Sequence, residues 1–263
     1  MKNLYWILIS CAFLFSCKDQ APPKLSSQEV HSGKSDYKND AVYFSMMDSI
    51  NNNGNLLEGS SLQYSDQNGT LFSSNVLSDA ANRIYKLEME ISEALETTKS
   101  SFYFKNGKKI VSSKIVSHYG EEVADYLKVI SFYTDSGKVI YTGRAKSDNL
   151  DSLESVRYSS DELQVHEFDF AWNMINQTGP FETTFLGTVF SEQIEKNFLI
   201  VGPKDGSYTS TLAISEETEV IKKLKSNVQK YKGTPLTIEF ENITEQSGLT
   251  FQALVNVAFD IVK

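Results

Sequence analysis

Alternating apolar and polar positions predict β-strands through the first two thirds of the chain. In residues 84–91, the side chains of Tyr85, Leu87, Met89 and Ile91 fall on one side of an extended backbone, and charged residues take most of the other positions. A strand of this kind buries one face and leaves the other in contact with water. The pattern therefore predicts an antiparallel sheet with one buried face.

Two later segments repeat one order of residues and predict β-hairpins. Residues 102–110 and 132–140 each contain an aromatic strand, a polar turn with glycine, and then a lysine followed by a β-branched strand. The Asn106-Gly107 pair is a strong hairpin signal because both residues tolerate positive φ. Residues 64–72 are a looser third copy. Together these segments predict a meander of hairpins.

Helical spacing of apolar residues is found in two places before residue 180. In residues 41–50 apolar side chains recur three and four positions apart, which predicts a short helix with Asp40 capping its start. A second helix is expected to begin at Ser160, a suitable N-cap followed by two acidic residues, and to end at Gly179-Pro180. We expect a domain boundary just after this helix.

The last third of the chain has the element order β-β-β-α-β-β. This order resembles the OB-fold, a small barrel whose helix lies between the third and fourth strands. A five-stranded SH3-like or cystatin-like arrangement fits nearly as well. The expected fold class is therefore α+β, an antiparallel β-meander with flanking helices over residues 41–178, followed by a small OB-like β-barrel over residues 182–263. The strands of the barrel are expected at 184–192, 197–202, 207–214, 235–241 and 249–262, with a helix that begins at Ser215.

The resemblance to the OB-fold implies a candidate binding face on the second and third strands. The residues of that face are Phe198 and Tyr208, with Lys196 and Lys204 near them. Two aromatic residues that alternate with apolar ones are more typical of a core, however. The chain also has 25 Lys and Arg against 34 Asp and Glu, a net charge of −9, so we expect no nucleic-acid partner.

The N-terminal residues predict export from the cytoplasm. A positive tip precedes an apolar run over residues 4–16, which is shorter than the roughly 20 residues of a spanning helix and fits a signal peptide. The sequence Leu14-Phe15-Ser16-Cys17 resembles a bacterial lipobox, with Phe15 bulkier than the usual residue. The resemblance implies cleavage before Cys17 and attachment of acyl chains, such as palmitate, to that cysteine. An ordinary signal peptide with an incidental cysteine is the alternative.

The lipobox resemblance also divides the N-terminal region and suggests a location. Residues 1–16 form the signal peptide, and residues 17–40 form the lipidated cysteine and a flexible tether. Two or more acyl chains anchor a protein stably, so the lipid bilayer is an expected partner. Lys18 and Asp19 resemble the sequences that direct lipoproteins to the outer membrane and, more weakly, the surface-export signal of Bacteroidetes. We expect a cell-envelope protein on the periplasmic or surface face of the outer membrane.

Few residues in the sequence suggest catalysis. With 2 Cys and 3 His a four-ligand zinc site is hard to build, and both cysteines, Cys11 and Cys17, belong to the export signal or its cleavage site. His166 and Asp169 would share one face of the helix expected from Ser160, yet they supply at most two ligands. We expect no catalytic residue, metal or cofactor.

The sequence therefore favours a non-catalytic binding or scaffolding role in the envelope, with an envelope protein or a glycan as a further partner. The alternative is an envelope hydrolase that acts on glycan or peptide, with carboxylates that come together only in the folded chain.

Overall fold

The structure is a computed structural model that describes residues 34–120 and 124–260. Cys17, the signal peptide and most of the tether expected from the sequence lie outside the described residues. Residues Gly33–Lys263 form one compact unit. The helices are α1 (Asp40–Asn51), α2 (Leu150–Leu153), α3 (Asp169–Asn176), α4 (Glu219–Ser226) and α5 (Val228–Tyr231), with a 3-10 turn at Gly179–Phe181.

Strands are the main component of the described residues. They are β1 (Leu57–Ser60), β2 (Tyr64–Asp66), β3 (Leu71–Ser78), β4 (Ile84–Ser92), β5 (Glu96–Lys105), β6 (Lys108–Tyr119), β7 (Ala124–Tyr133), β8 (Val139–Ser147), β9 (Ser159–Ser160), β10 (Thr184–Ser191), β11 (Lys196–Gly202), β12 (Tyr208–Ile214), β13 (Leu236–Thr244) and β14 (Thr250–Phe259).

An antiparallel meander runs from β2 to β9, in which each strand pairs with the next one along the chain. The predicted hairpins are confirmed. Asn106 and Gly107 both have positive φ, 53° and 74°, in the turn from β5 to β6, and Gly137 and Gly69 have positive φ in the two related turns. The expectation of an α+β fold rich in antiparallel strands is thus correct.

The central strands of the meander are buried on both faces of the sheet. Helix α1 packs on one face, over a row of cross-strand partners in β5 to β8, and Tyr43 of α1 stacks on Phe132 with ring centroids 4.4 Å apart. The opposite face carries Leu87 and Phe102, which belong to a second core shared with the C-terminal segment. The sequence predicted one buried face; the second face is covered because a later segment returns across it. The row under α1 is Tyr103, Val111, Phe132 and Tyr141.

The helix predicted over residues 41–50 is confirmed as α1, but its cap is not. Asp40 is the first helical residue rather than the N-cap, and its buried carboxylate accepts hydrogen bonds from the backbone N–H (2.7 Å) and the hydroxyl (3.0 Å) of Ser35. Asp40 therefore fixes the chain that enters the helix instead of satisfying the helix's own N–H groups.

The helix predicted to begin at Ser160 is wrong over its first half. Residues 161–168 have no regular secondary structure, and α3 begins only at Asp169. His166 and Asp169 therefore do not share a helix face. The irregular backbone is favoured because its polar groups find partners on the sheet that it crosses, as described below. Gln177, in the left-handed conformation with φ of 53°, ends α3.

The C-terminal segment has the predicted order of elements. Strands β10, β11 and β12 are antiparallel, β14 runs parallel to β12, and β13 pairs with β14. The helix between β12 and β13 begins at Glu219, with Thr218 rather than Ser215 as its cap, because the Thr218 hydroxyl accepts the backbone N–H of Ile221 at 3.3 Å. An isolated antiparallel bridge joins Thr184 to Pro235, next to β13.

The boundary expected between residues 178 and 182 does not separate two cores. Strand β12 pairs with β2, where Tyr208 lies opposite Asp66. The Tyr64 hydroxyl donates a hydrogen bond of 3.0 Å to the carbonyl oxygen of Phe181. One buried cluster contains residues from both segments, for example Leu87 with Leu199. The two segments are therefore joined by a continuous sheet and a shared core.

Candidate functional site

The structure does not bring together the binding face suggested by the sequence. Leu199 and Val201 of β11 point into the core, so Phe198, directly before Leu199, points to the opposite side of the sheet and is half-buried. Tyr208 points to the core side, where its ring lies 5.3 Å from that of Phe72 and 4.9 Å from that of Phe181. Phe198 and Tyr208 therefore lie on opposite faces of one sheet.

The two lysines of that predicted face are also separate. The Lys196 ammonium lies 3.1 Å from a Glu245 carboxylate oxygen and 5.2 Å from the centre of the Phe251 ring. Lys204 is exposed in the turn after β11. The four residues form no common surface, because alternation along β11 and β12 sends the two aromatic side chains in opposite directions.

A different part of the molecule has the form of a binding site. A cleft of about 870 Å³ opens between the start of β4 and the end of β5, and we refer to it as the β4–β5 cleft. Its volume is in the range of small-molecule sites, roughly 300–1,000 Å³. Nine of its fifteen lining residues are apolar or aromatic: Met46, Ile50, Ile84, Tyr85, Leu87, Phe104, Ile110, Phe168 and Trp172. The other six are Ser49, Asn82, Arg83, Lys105, Asn106 and Gly107.

The cleft exists because two neighbouring strands stop pairing before they end. The ladder between β4 and β5 ends at the pair Lys86–Tyr103, although both strands continue beyond it. The ladder of β3 with β4 shifts register at Tyr85, and that of β5 with β6 shifts at Ile110. A bulge bends and twists its strand, so the shift at Tyr85 bends β4 and the shift at Ile110 bends β6, the partner of β5, next to the point where the pairing of β4 with β5 ends.

Elements from both faces of the sheet form the walls of the cleft. Helix α1 contributes Met46 and Ile50 from one face. From the other face come Trp172 of α3 and Phe168, whose ring packs edge-on against Phe104 with centroids 5.3 Å apart. The tip of the β5–β6 hairpin completes the cleft. Trp172 is 36% exposed, so a large aromatic surface at this wall is open to solvent or a ligand.

The wall that contains Phe168 is positioned by residues 161–168, which we name the crossing segment because they cross β6 to β8 on one face of the sheet. The main chain of Gln164 is bound at two points: its N–H donates to the Thr142 hydroxyl (3.0 Å), and its carbonyl accepts from the Ser131 hydroxyl (3.1 Å). Ser131 and Thr142 are buried and also hydrogen-bond to each other at 2.9 Å. Hydroxyl groups of the sheet thus replace the hydrogen bonds of a helix.

His166 attaches the end of the crossing segment to the sheet. Its Nδ1 lies 2.9 Å from the Ser112 hydroxyl, and its backbone N–H donates to the Tyr133 hydroxyl at 3.2 Å. Its carbonyl accepts a hydrogen bond from the ammonium of Lys109, which lies 4.5 Å from the centre of the Tyr133 ring and 5.5 Å from that of Phe168. These contacts position Phe168, two residues further on, at the cleft.

The imidazole of His166 is kept neutral by its surroundings. Burial, and then the positive charges of Lys114 and Lys109, lower the pKa of His166 to about 4. At neutral pH the imidazole ring is therefore uncharged, and it forms its hydrogen bond with Ser112 in that state. The sequence singled out His166 as one of a helical pair, and the structure gives it a role in positioning the cleft wall.

The charged groups that line the cleft are both cationic. Arg83 is bound by Asp79, whose Oδ2 lies 2.7 Å from both Nε and one terminal nitrogen of the guanidinium. Lys105 is exposed and has no ion pair within residues 34–120 and 124–260. Among residues 34–120 and 124–260, the lining contains no carboxylate, histidine or cysteine. It can therefore offer apolar contact and positive charge to a ligand.

Sequence reasoning missed this cleft, although the signals of its parts were present. The Asn106-Gly107 turn correctly placed the hairpin tip, and apolar spacing correctly placed α1. The register shifts at Tyr85 and Ile110 cannot be recognised in a single sequence. An extra residue in a strand interrupts the alternation of apolar and polar residues only once, and such interruptions are common in ordinary strands.

Searches for other kinds of site add two findings. Within the described part of the chain, no three or more His, Cys, Asp or Glu side chains are arranged to hold a metal ion. In the same residues no helix has the length and apolar character needed to cross a bilayer. Comparison with protein-family models, curated proteins and solved structures gives no significant match.

Proposed function

We propose that this chain is a lipid-anchored protein of the bacterial envelope with a non-catalytic binding role, and that the β4–β5 cleft is its binding site. The observation that carries the proposal is a solvent-accessible cleft of about 870 Å³ with a mostly apolar lining. An apolar surface of this kind is stabilised when a ligand removes it from water, at about 25 cal/mol per Å². The anchor rests on the lipobox that ends at Cys17.

We further propose that residues 182–263 form an OB-like barrel that supports the cleft from behind. The strand order and the parallel pairing of β12 with β14 support this, as does the contact between the first and fourth strands of the segment. There the N–H of Phe185 donates to the carbonyl oxygen of Thr234 (2.9 Å), and that of Leu236 to Thr183 (2.8 Å). Tyr208 packs on the core side against Phe72 and Phe181, so we assign binding to the cleft and not to strands two and three.

A neutral fluorescent probe tests the binding site. Removal of the N-terminal segment with Trp6 leaves Trp172, in the cleft wall, as the one tryptophan of the chain from Lys18 onward. We expect Nile red to bind this protein and to change the Trp172 fluorescence. Ser49→Phe, which adds a ring inside the cleft, should weaken Nile red binding at least fivefold. Ser45→Phe is the matched control, one turn away on the exposed side of α1 and outside the lining.

The result of this probe experiment decides the assignment of the site. If Nile red fails to bind, or if Ser49→Phe and Ser45→Phe bind it equally, the β4–β5 cleft is not the binding site. Far-UV circular dichroism of both variants checks that α1 and the sheet remain folded.

Metabolic labelling with an alkyne-bearing palmitate analogue tests the anchor. The full chain should be labelled, Cys17→Ser should lose the label, and Cys11→Ser, inside the apolar run, should keep it. A mature mass that still includes Met1 would contradict the anchor. Membrane fractionation tests the location: the chain should fractionate with the outer membrane, and Lys18→Asp should move it to the inner membrane.

A further inference from the structure

We infer that the ligand of the β4–β5 cleft is a single-chain anionic amphiphile, a molecule with one alkyl chain and a carboxylate or similar anionic head. The inference rests on the proposed function, since it specifies the ligand of the same site. It is carried by the distribution of charge around the lining. Arg83 and Lys105 are both present there, whereas no lining residue is acidic, although the chain as a whole has a net charge of −9.

The guanidinium of Arg83 is positioned to bind a second anion. Asp79 occupies Nε and one terminal nitrogen, both at 2.7 Å from the same carboxylate oxygen. A guanidinium has five N–H donors, so the other donors remain for a ligand head group. Asp79 is not among the lining residues of the cleft, whereas Arg83 is.

Lys105 is the second cation of the lining, and its ammonium forms no ion pair with a carboxylate of the described residues. It lies at the end of β5, in the cross-strand pair with Lys108, at a hairpin tip that carries no acidic residue. An exposed ammonium that lines an apolar cleft favours a ligand whose polar end is negative and remains near water. The deeper part of the lining contains Leu87, Phe104 and Ile110, which suit an alkyl chain.

Lys108 provides a matched control for charge. It pairs with Lys105 across the hairpin and is also exposed, but it does not line the cleft. Replacement of either lysine by methionine changes the net charge of the protein by the same amount and places no new charge opposite the other lysine. A difference between Lys105→Met and Lys108→Met therefore reports on contact in the cleft and not on the total charge of the protein. Measurements at 0.15 M salt, where the Debye length is about 8 Å, reduce the long-range part further.

Titrations below the micelle concentration test the inference with the chain from Lys18 onward and Trp172 fluorescence as the readout. The probes are dodecanoate, dodecan-1-ol and dodecyltrimethylammonium, which share a chain length and differ in head-group charge, together with decanoate. We expect dodecanoate to bind at least tenfold more tightly than dodecyltrimethylammonium. Decanoate should bind more weakly than dodecanoate by up to about fourfold for each methylene removed, since each buried CH₂ contributes about 0.8 kcal/mol.

The variants separate the role of the head group from that of the cleft. Lys105→Glu should weaken dodecanoate binding about tenfold, Lys105→Met should weaken it about threefold, and Lys108→Met should change it less than twofold. The inference is overturned, and the proposed function kept, if the alcohol and the cationic amphiphile bind as tightly as dodecanoate, or if Lys105→Glu has no effect.

Two other outcomes are equally clear. Binding to vesicles of phosphatidylglycerol without any response to dodecanoate would replace the single-chain ligand by a membrane surface, and would also overturn the inference. If neither Nile red nor any amphiphile changes the Trp172 signal, the proposed binding site itself is wrong. The thermal unfolding temperature of each variant, compared with that of the unchanged protein, shows whether the fold is retained.

Discussion

The hydroxyl of Ser112 lies 2.9 Å from Nδ1 of His166, and this contact joins the centre of the sheet to the segment that positions the cleft wall. Ser112 itself is fully buried, and its hydroxyl is also 2.9 Å from that of Tyr133. Either group can donate in this hydrogen bond, but burial and then the positive charges of Lys114 and Lys109 disfavour the protonated imidazole and lower its pKa. The stability of the crossing segment is therefore linked to the protonation of His166.

Stability should decrease as the pH falls from about 6.5 to about 4. The pKa of His166 is about 4 in the folded protein and near 6.5 in the unfolded chain, so the unfolded chain takes up a proton first. The stabilisation is present above pH 6.5 and is lost by pH 4. Because the ring is partly exposed, we expect this residue to account for about 1–2 kcal/mol of the unfolding free energy.

Urea denaturation at pH 7 and pH 4.5 measures this pH effect. His166→Gln should lose less stability between the two pH values than the unchanged protein. An equal pH dependence in His166→Gln and the unchanged protein would show that His166 is not the titrating group.

Tyr64→Phe should destabilise the protein by about 1–2 kcal/mol. The substitution removes the hydroxyl that donates to the carbonyl oxygen of Phe181 at 3.0 Å and leaves that buried acceptor without this donor. Tyr119→Phe, at a position 46% exposed, is the control and should change stability by less than about 0.5 kcal/mol. Urea denaturation followed by Trp172 fluorescence and by far-UV circular dichroism should give coincident transitions, because both segments share one core.

Gly202→Ala should be destabilising, by about 1–3 kcal/mol. A Cβ atom at residue 202 would lie 2.2 Å from the main-chain oxygen of Tyr208, so β11 or β12 would have to move. Gly187→Ala is the matched control in the neighbouring strand, since a Cβ there has no heavy atom within 4 Å and the backbone needs no positive φ. Equal thermal unfolding temperatures for the two variants would contradict the close approach of β11 and β12.

Glu154→Gln should cost about 1–2 kcal/mol, more than the loss of an ordinary surface ion pair. The Lys128 side chain is only 7% exposed, and its ammonium lies 2.6 Å from a Glu154 carboxylate oxygen, so the variant leaves a buried charge poorly compensated. We expect only a moderate loss of unfolding free energy because the Glu154 side chain is 64% exposed, so water screens part of its charge.

Two further variants test this explanation of the Lys128–Glu154 pair. In Lys128→Met with Glu154→Gln the buried charge is absent, so most of the lost stability should return. Glu219→Gln, which breaks the exposed pair with Lys222 at 2.8 Å, should change the unfolding free energy by less than about 0.5 kcal/mol. If Glu154→Gln is as mild as Glu219→Gln, the burial of Lys128 has no energetic consequence.

Local patterns in the sequence correctly predicted the elements that are stabilised by residues close to one another along the chain. The Asn106-Gly107 turn, the apolar spacing of α1 and the strand order of residues 182–263 were all predicted correctly, because turn chemistry and periodicity act over a few neighbouring residues. The helix expected from Ser160 failed for the opposite reason. Its first half is not helical because Ser131 and Thr142, distant in sequence, bind the main chain of Gln164.

The sequence by itself determined the antiparallel α+β class and the hairpins, and it alone supports the proposal of a lipobox at Cys17, which lies outside the described residues. Only the tertiary structure decided that Phe198 and Tyr208 point to opposite faces, that residues 41–178 and 182–263 share one core, and that a cleft separates β4 from β5. Each of these depends on strand register and on contacts between residues far apart along the chain. A shift of one residue at Tyr85 or Ile110 redirects a whole strand, and a single sequence does not encode that shift as a local pattern.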